Sequence, residues 1–154
     1  GHARDATQTG GGNHDPRAGT PNQQIEENDM LSVARYGTSD LTRATAFYDE
    51  IAKLLAAKRV IDRDDVVAYK GNDGGMFLIG RPFAGEAKSG NGTQIGFTAL
   101  SRAMVDAVYV KAMELGGTCE GPPGVRGPDG PSGFYAAYFR DLDGNKIMVM
   151  RVGD

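Results

Sequence analysis

The sequence predicts an α+β fold of two similar modules, each a strand, a helix and three more strands. Three observations predict it. An apolar stripe at helical spacing, started by a capping residue, occurs twice. Each stripe follows a strand-like run and precedes three short apolar runs separated by turn residues. A stretch rich in Gly, Pro, Lys and Glu, residues 81–92, divides the two halves into modules at 31–80 and 93–151.

In the first module Leu31–Gly37 reads as a strand, and Ser39 or Asp40 caps a helix reaching about Ala56. Leu41, Ala44, Phe47, Tyr48, Ile51, Leu54 and Leu55 recur at i, i+3, i+4 spacing, so they form one face to bury. Val60–Asp62, Val66–Lys70 and Met76–Ile79 read as strands, with Asp64-Asp65 and Asn72-Asp73-Gly74-Gly75 as turns. In the second module Gln94–Ala99 is a strand. Ser101 caps a helix carrying Met104, Val105, Val108, Ala112 and Leu115, and Gly116-Gly117 ends it. Strands are expected near Thr118–Glu120, Phe134–Phe139 and Lys146–Arg151, with Gly121–Gly133 as a long Pro/Gly loop.

Composition narrows the function classes. At 154 residues the chain has one domain's worth of core, expected over residues 30–154. Residues 1–29 are polar and Gly-rich, with Ile25 the only large aliphatic side chain. Such a segment buries too little apolar area to offset its ordering entropy, so it is expected to be disordered or left over from expression. One cysteine, Cys119, makes no intrachain disulfide and reads as a buried strand residue. That count fits a reducing, cytoplasmic setting. No apolar run is long enough to span a bilayer and no secretory leader is evident, so no membrane partner is expected. The formal charge of −3, with Lys and Arg scattered, argues against nucleic acid. A small molecule is the expected partner.

Three stretches carry a family likeness. They are Gly37-Thr38-Ser39-Asp40-Leu41-Thr42-Arg43-Ala44-Thr45-Ala46-Phe47-Tyr48-Asp49, then Gly92-Thr93-Gln94-Ile95-Gly96-Phe97, then Arg140-Asp141-Leu142-Asp143-Gly144-Asn145-Lys146-Ile147. In order and spacing the chain resembles the vicinal oxygen chelate superfamily, which includes glyoxalase I, extradiol dioxygenases and bleomycin-resistance proteins. The resemblance implies a curved mixed sheet with a ligand-binding concavity, and a homodimer. It also implies a divalent metal held by one side chain from the first and last strand of each module, typically His and Glu.

Carried over to this chain, those positions are Val33, Leu78, Gln94 and Met148. None is an imidazole or a carboxylate, and Gln and Met compete poorly with those groups for Zn²⁺, Mg²⁺, Mn²⁺ or Fe²⁺. Both histidines, His2 and His14, are in the tail. No metal, cofactor or catalytic residue is therefore expected. The ligand-binding set read from this pattern is Val33, Arg35, Tyr69, Leu78, Gln94, Thr98, Tyr138 and Met148. Alternatives stand beside it: Gln94 bonding a neighbouring strand, Arg35 pairing with a carboxylate, and the tyrosines half-buried without a ligand. Asp141, Asp143 and Asn145 read as hairpin-stabilising residues. Arg126 is either a cation over an anion or solvated.

The expected function is a metal-free, bleomycin-resistance-like protein that sequesters a small, partly apolar molecule. An enzyme of the same superfamily, lyase- or dioxygenase-like with non-standard residues, is the alternative. An interaction module whose concavity receives a peptide is a third reading.

Overall fold

A computed structural model describes residues 30–72 and 74–154. The tail, with its expected disorder and both histidines, lies outside the described residues, as does Asp73. The elements are β1 (Val33–Gly37), α1 (Leu41–Leu54), β2 (Lys58–Asp62), β3 (Val66–Lys70), β4 (Met76–Gly80), β5 (Ile95–Thr98), α2 (Arg102–Glu114), β6 (Thr118–Arg126), β7 (Phe134–Arg140) and β8 (Lys146–Val152). This is the predicted α+β architecture of two βαβββ modules. Each module forms its own four-stranded sheet, ordered β1-β4-β3-β2 and β5-β8-β7-β6, and the two sheets do not close into one. In each, the first strand runs parallel to the last and the other pairs are antiparallel.

Local chemistry sets the helix ends. The Asp40 carboxylate accepts from the Arg43 N–H at 3.0 Å and the Ser101 hydroxyl from the Met104 N–H at 3.1 Å, each satisfying a donor that the helix leaves free. Both C-termini close alike: the Ala57 N–H donates to the Ala52 carbonyl, and the Gly117 N–H to the Ala112 carbonyl, each at 2.8 Å. The turn needs a residue at positive φ. The second helix supplies Gly116 at 98°, but the first uses Ala56 at 54°.

The apolar stripes meet in one core. Phe47, Tyr48 and Ile51 of α1 pack with Val105, Val108 and Ala112 of α2, with Phe77 and Ile79 on one sheet and Phe139, Ile147 and Val149 on the other. Rings cross the module boundary twice, Phe47 to Phe139 at 6.2 Å and Phe77 to Phe97 at 5.1 Å. The helices and the inner sheet faces are thus shared, and the outer sheet faces are turned away from this core.

The β7–β8 hairpin fastens the modules together. Asp141 and Asn145 are buried polar residues. The Asp141 carboxylate accepts from the backbone N–H groups of Asp143 and Asn145, as hairpin stabilisation requires. Its neighbours reach further than expected. Asp143 accepts from the Thr38 hydroxyl at 2.6 Å and from Ser39, while the Asn145 amide donates to the Gly37 carbonyl at 3.0 Å. The Tyr36 hydroxyl completes the joint by donating to the Lys146 carbonyl at 2.6 Å.

Two expectations fail in the second module. β6 continues to Arg126, through Gly121-Pro122-Pro123-Gly124, where a loop was expected. It is an edge strand with register shifts on both sides of Gly121, and an edge tolerates prolines because their missing N–H groups are not needed for pairing. Cys119 is exposed rather than buried, because it stands on this same edge strand.

Candidate functional site

Side chains alternate along each strand, so pairing register sorts the site residues by face. On the first sheet Leu78 is opposite Arg35 and Ala68, and Val33 is opposite Met76. Val33, Arg35 and Leu78 therefore share the outer face. On the second sheet Met148 is opposite Gly96 and Tyr138, and Thr98 is opposite Met150, so all five share the outer face there. Capping places Thr38 in register with Ala99, which makes Val33 the counterpart of Gln94. The hairpin pairs Tyr69–Phe77 and Phe139–Ile147 make Leu78 the counterpart of Met148. The two modules thus offer two pairs of equivalent positions.

Tyr69 does not join this set. It pairs with Phe77, an inner-face residue, and its hydroxyl donates to the Asp49 carboxylate of α1 at 2.7 Å. Burial and that carboxylate push its pKa up, so the hydroxyl stays a donor to the helix. The sequence reading missed this because β3 is buried on both faces from Val66 to Tyr69, and a continuous apolar run carries no alternation to read.

The two outer faces differ in furnishing. Val33 is 47% exposed, and Arg35, Gln94 and Thr98 are exposed. Leu78, Tyr138 and Met148 are half-buried. The Arg35 guanidinium donates to the Arg81 carbonyl at 2.6 Å and lies 5.2 Å from the Phe83 ring centroid, so its partner is the linker rather than a carboxylate. The Gln94 amide reaches the Met148 sulfur at 3.7 Å, which joins these two across the sheet. A Cβ on Gly96 would meet the Met148 methyl at 2.7 Å, so glycine there gives Met148 its place. The Tyr138 ring lies 5.4 Å from the Lys146 ammonium and 5.7 Å from the Arg126 guanidinium. Arg126 also donates to the Pro122 carbonyl. At the end of this face Glu120 pairs with Arg140 at 2.7 Å, which holds its carboxyl below the usual range.

No hydrogen bond, ion pair or ring contact links the two outer faces among the described residues. Nor do three His, Cys, Asp or Glu side chains come together there in a way that would hold a metal ion. Val33, Leu78, Gln94 and Met148 do not fit the divalent ion that the resemblance implies.

A model of the Glyoxalase/Bleomycin resistance protein/Dioxygenase superfamily matches residues 31–149. The chain belongs to this superfamily. Among solved structures it is similar to a glyoxalase/bleomycin resistance protein from Albidiferax ferrireducens, at 37% identity and TM-score 0.71, over 79% of this chain and 98% of that one. It also shares its fold with a lactoylglutathione lyase from Agrobacterium tumefaciens, at 22% identity and TM-score 0.55, over 80% of this chain and 94% of that one. A superfamily enzyme from Burkholderia phytofirmans aligns at 18% identity and TM-score 0.60, over 81% and 99% of the respective chains. No curated protein matches. Membership accounts for the paired equivalent positions on the superfamily fold, since both modules place one residue on the first strand and one on the last. No helix among the described residues is long and apolar enough to cross a membrane.

Proposed function

We propose that this superfamily member binds a small, partly apolar molecule without metal and without altering it, in a cavity made when two chains form a two-fold dimer. The observation that carries the reading is the donor set: Val33 and Leu78 on one sheet, Gln94 and Met148 on the other, at two pairs of equivalent positions. Two alkyl groups, an amide and a thioether make a wall for apolar burial, with little to offer a hard or borderline cation. Within one chain the two faces are turned away from the shared core. A symmetric pair brings the Val33 face of one protomer against the Met148 face of the other, twice over, and covers the exposed Val33. Arg35, Thr98 and Tyr138 then stand as polar groups that orient the ligand. Among the described residues, the carboxylate near the Tyr138 face, Glu120, is engaged by Arg140 and so is not free for enzymatic proton transfer. The cytoplasm is the compartment that the lone cysteine favours.

A thermal-shift series with aromatic antibiotics, bleomycin included, tests the proposal together with elemental analysis after dialysis against chelator. Binding raises Tm with the logarithm of ligand concentration. A melting temperature that climbs with an antibiotic and a metal content below about a tenth of an equivalent are expected. A stoichiometric transition metal retained through chelation would overturn the metal-free reading.

A further inference from the structure

The joint between the modules is fastened at one end and open at the other. At the fastened end Asp141 and Asn145 fill the space beside β1, and the Asn145 amide donates to the carbonyl of Gly37. The pseudo-equivalent residues at the other end are Gly71 and Gly75, next to Thr98 of β5. A Cβ on Gly75 would lie 2.7 Å from the Leu31 carbonyl, so no asparagine can stand in the place of Asn145. A Cβ on Gly71 would meet nothing within 4 Å. What the two missing side chains leave is a cavity of about 350 Å³ between α1, the β3–β4 hairpin and β5.

This cavity has a definite chemistry. Its walls include the rings of Tyr48, Tyr69, Phe77 and Phe97, with Ile51 and Leu55. The Tyr48 and Tyr69 hydroxyls are already committed, to Asp141 and Asp49, so the rings present faces rather than donors. β5 is an edge strand, and the Ala99 N–H bonds to Met150 on its paired side. Peptide groups alternate along a strand, so those of Gly96 and Thr98 are turned to the open edge. The Thr98 carbonyl is the counterpart of the Gly37 carbonyl, which takes the Asn145 amide.

We infer that the open joint is a second binding site, separate from the outer sheet faces, for a neutral aromatic carboxamide whose ring lies among Tyr48, Tyr69, Phe77 and Phe97. Its amide N–H donates to the Thr98 carbonyl, in the role that Asn145 plays at the other end. The volume is at the small end of the range for ligand pockets, which suits one or two fused rings. Lys70 is the one charged residue along the described lining and is exposed at its edge, so among the rings themselves a charged ligand is disfavoured, because desolvating its charge there is costly.

The test uses the full chain, with 2-naphthamide as the probe and methyl 2-naphthoate as a match in shape that lacks the donor. Amide resonances of Leu55, Ala57 and Thr98 are expected to shift saturably with 2-naphthamide, while those of Val33 and Leu78 stay in place. The ester is expected to bind a few-fold to tenfold more weakly, the worth of one hydrogen bond. Gly71→Leu, at an ordinary φ with space around it, and Leu55→Trp fill the cavity from two sides, and each is expected to weaken 2-naphthamide at least tenfold. Absence of saturable shifts up to millimolar probe overturns the inference. So do shifts confined to Val33 and Leu78, unchanged affinity in the variant or variants that fold, and contacts between the Thr98 amide and residues 1–29 in place of the probe. Thr98 borders both sites, so Leu55 and Ala57, which lie away from the outer faces, tell the two apart: failure to shift them leaves the dimer-cavity proposal standing, and the reverse holds as well.

Discussion

The phenol of Tyr48, on α1, donates to the carboxylate of Asp141, at the β7–β8 hairpin, at 2.5 Å across the module joint. Both residues are buried, and the Asp141 oxygen also accepts from the Asn145 amide at 2.9 Å. Burial and the Asp141 charge push the Tyr48 pKa well above its usual value, so the hydroxyl remains a donor at any ordinary pH.

Tyr48→Phe removes that donor and leaves a buried carboxylate short of one partner. A loss of about 1–3 kcal/mol is expected in urea unfolding, the cost of stranding a buried acceptor. The pH sign follows from a folded-state pKa raised above the unfolded one. The contribution of Tyr48 is complete below about pH 10 and is lost as pH rises toward the folded value. Wild type and variant should therefore converge in stability on the alkaline side; a gap that stays constant up to alkaline unfolding would show that the bond to Asp141 is not its source.

Ala56 occupies the left-handed position that Gly116 takes after α2. An alanine there crowds its own carbonyl, while glycine does not. Ala56→Gly is expected to stabilise the chain by about 0.5–1 kcal/mol, the relief of the left-handed strain less the extra freedom glycine has when unfolded. Denaturant midpoints check it. A destabilised variant would mean that the Ala56 methyl contributes more by packing than its backbone costs.

The Arg59–Asp49 pair predicts an acid-side effect. Arg59 donates to both Asp49 oxygens, at 2.8 and 2.7 Å, and holds the carboxyl below its usual pKa, with help from the Tyr69 hydroxyl. A lowered folded pKa stabilises above the unfolded value and loses that contribution as pH falls through the folded one. The pair is one-third exposed, so solvent screening limits it to about 0.5–1 kcal/mol. Arg59→Met should cost that amount at pH 7 and progressively less below about pH 4. An equal cost at pH 7 and pH 2.5 would assign the effect to packing.

Legibility in the sequence followed the strength of the local signal. The α1 stripe and its cap were readable because Leu41, Phe47, Tyr48 and Ile51 repeat at helical spacing behind Asp40, and all of them are buried. β6 was not readable, because two prolines and two glycines look like a loop unless one knows that the strand is an edge. The face of Tyr69 was hidden in the unbroken run of β3. The joint eluded the sequence for another reason: Asp143 and Asn145 satisfy local turn chemistry as well as groups about a hundred residues away in the chain, as Asp143 to Thr38 does. Nothing local distinguishes the two roles.

The dimer cavity can be tested by building into it the metal ligands that it lacks. Gln94→His and Met148→Glu place two ligands on one face of a single chain, at residues already within contact across the sheet. Val33→His supplies a third from the other sheet, which in one chain is turned away from them. If the two faces meet across a two-fold axis, the triple variant gains a His, His, Glu set with an open fourth position, suited to Zn²⁺. Zn²⁺ should then bind at least tenfold more tightly to the triple variant than to the double, and it should strengthen the dimer. Without metal the added carboxylate in an apolar wall lowers Tm, and Zn²⁺ restores it by neutralising the charge. Calorimetry and light scattering read both effects on folded protein. Equal affinity in the double and triple variants, or a monomer at every concentration, would mean that Val33 and Met148 never share a cavity.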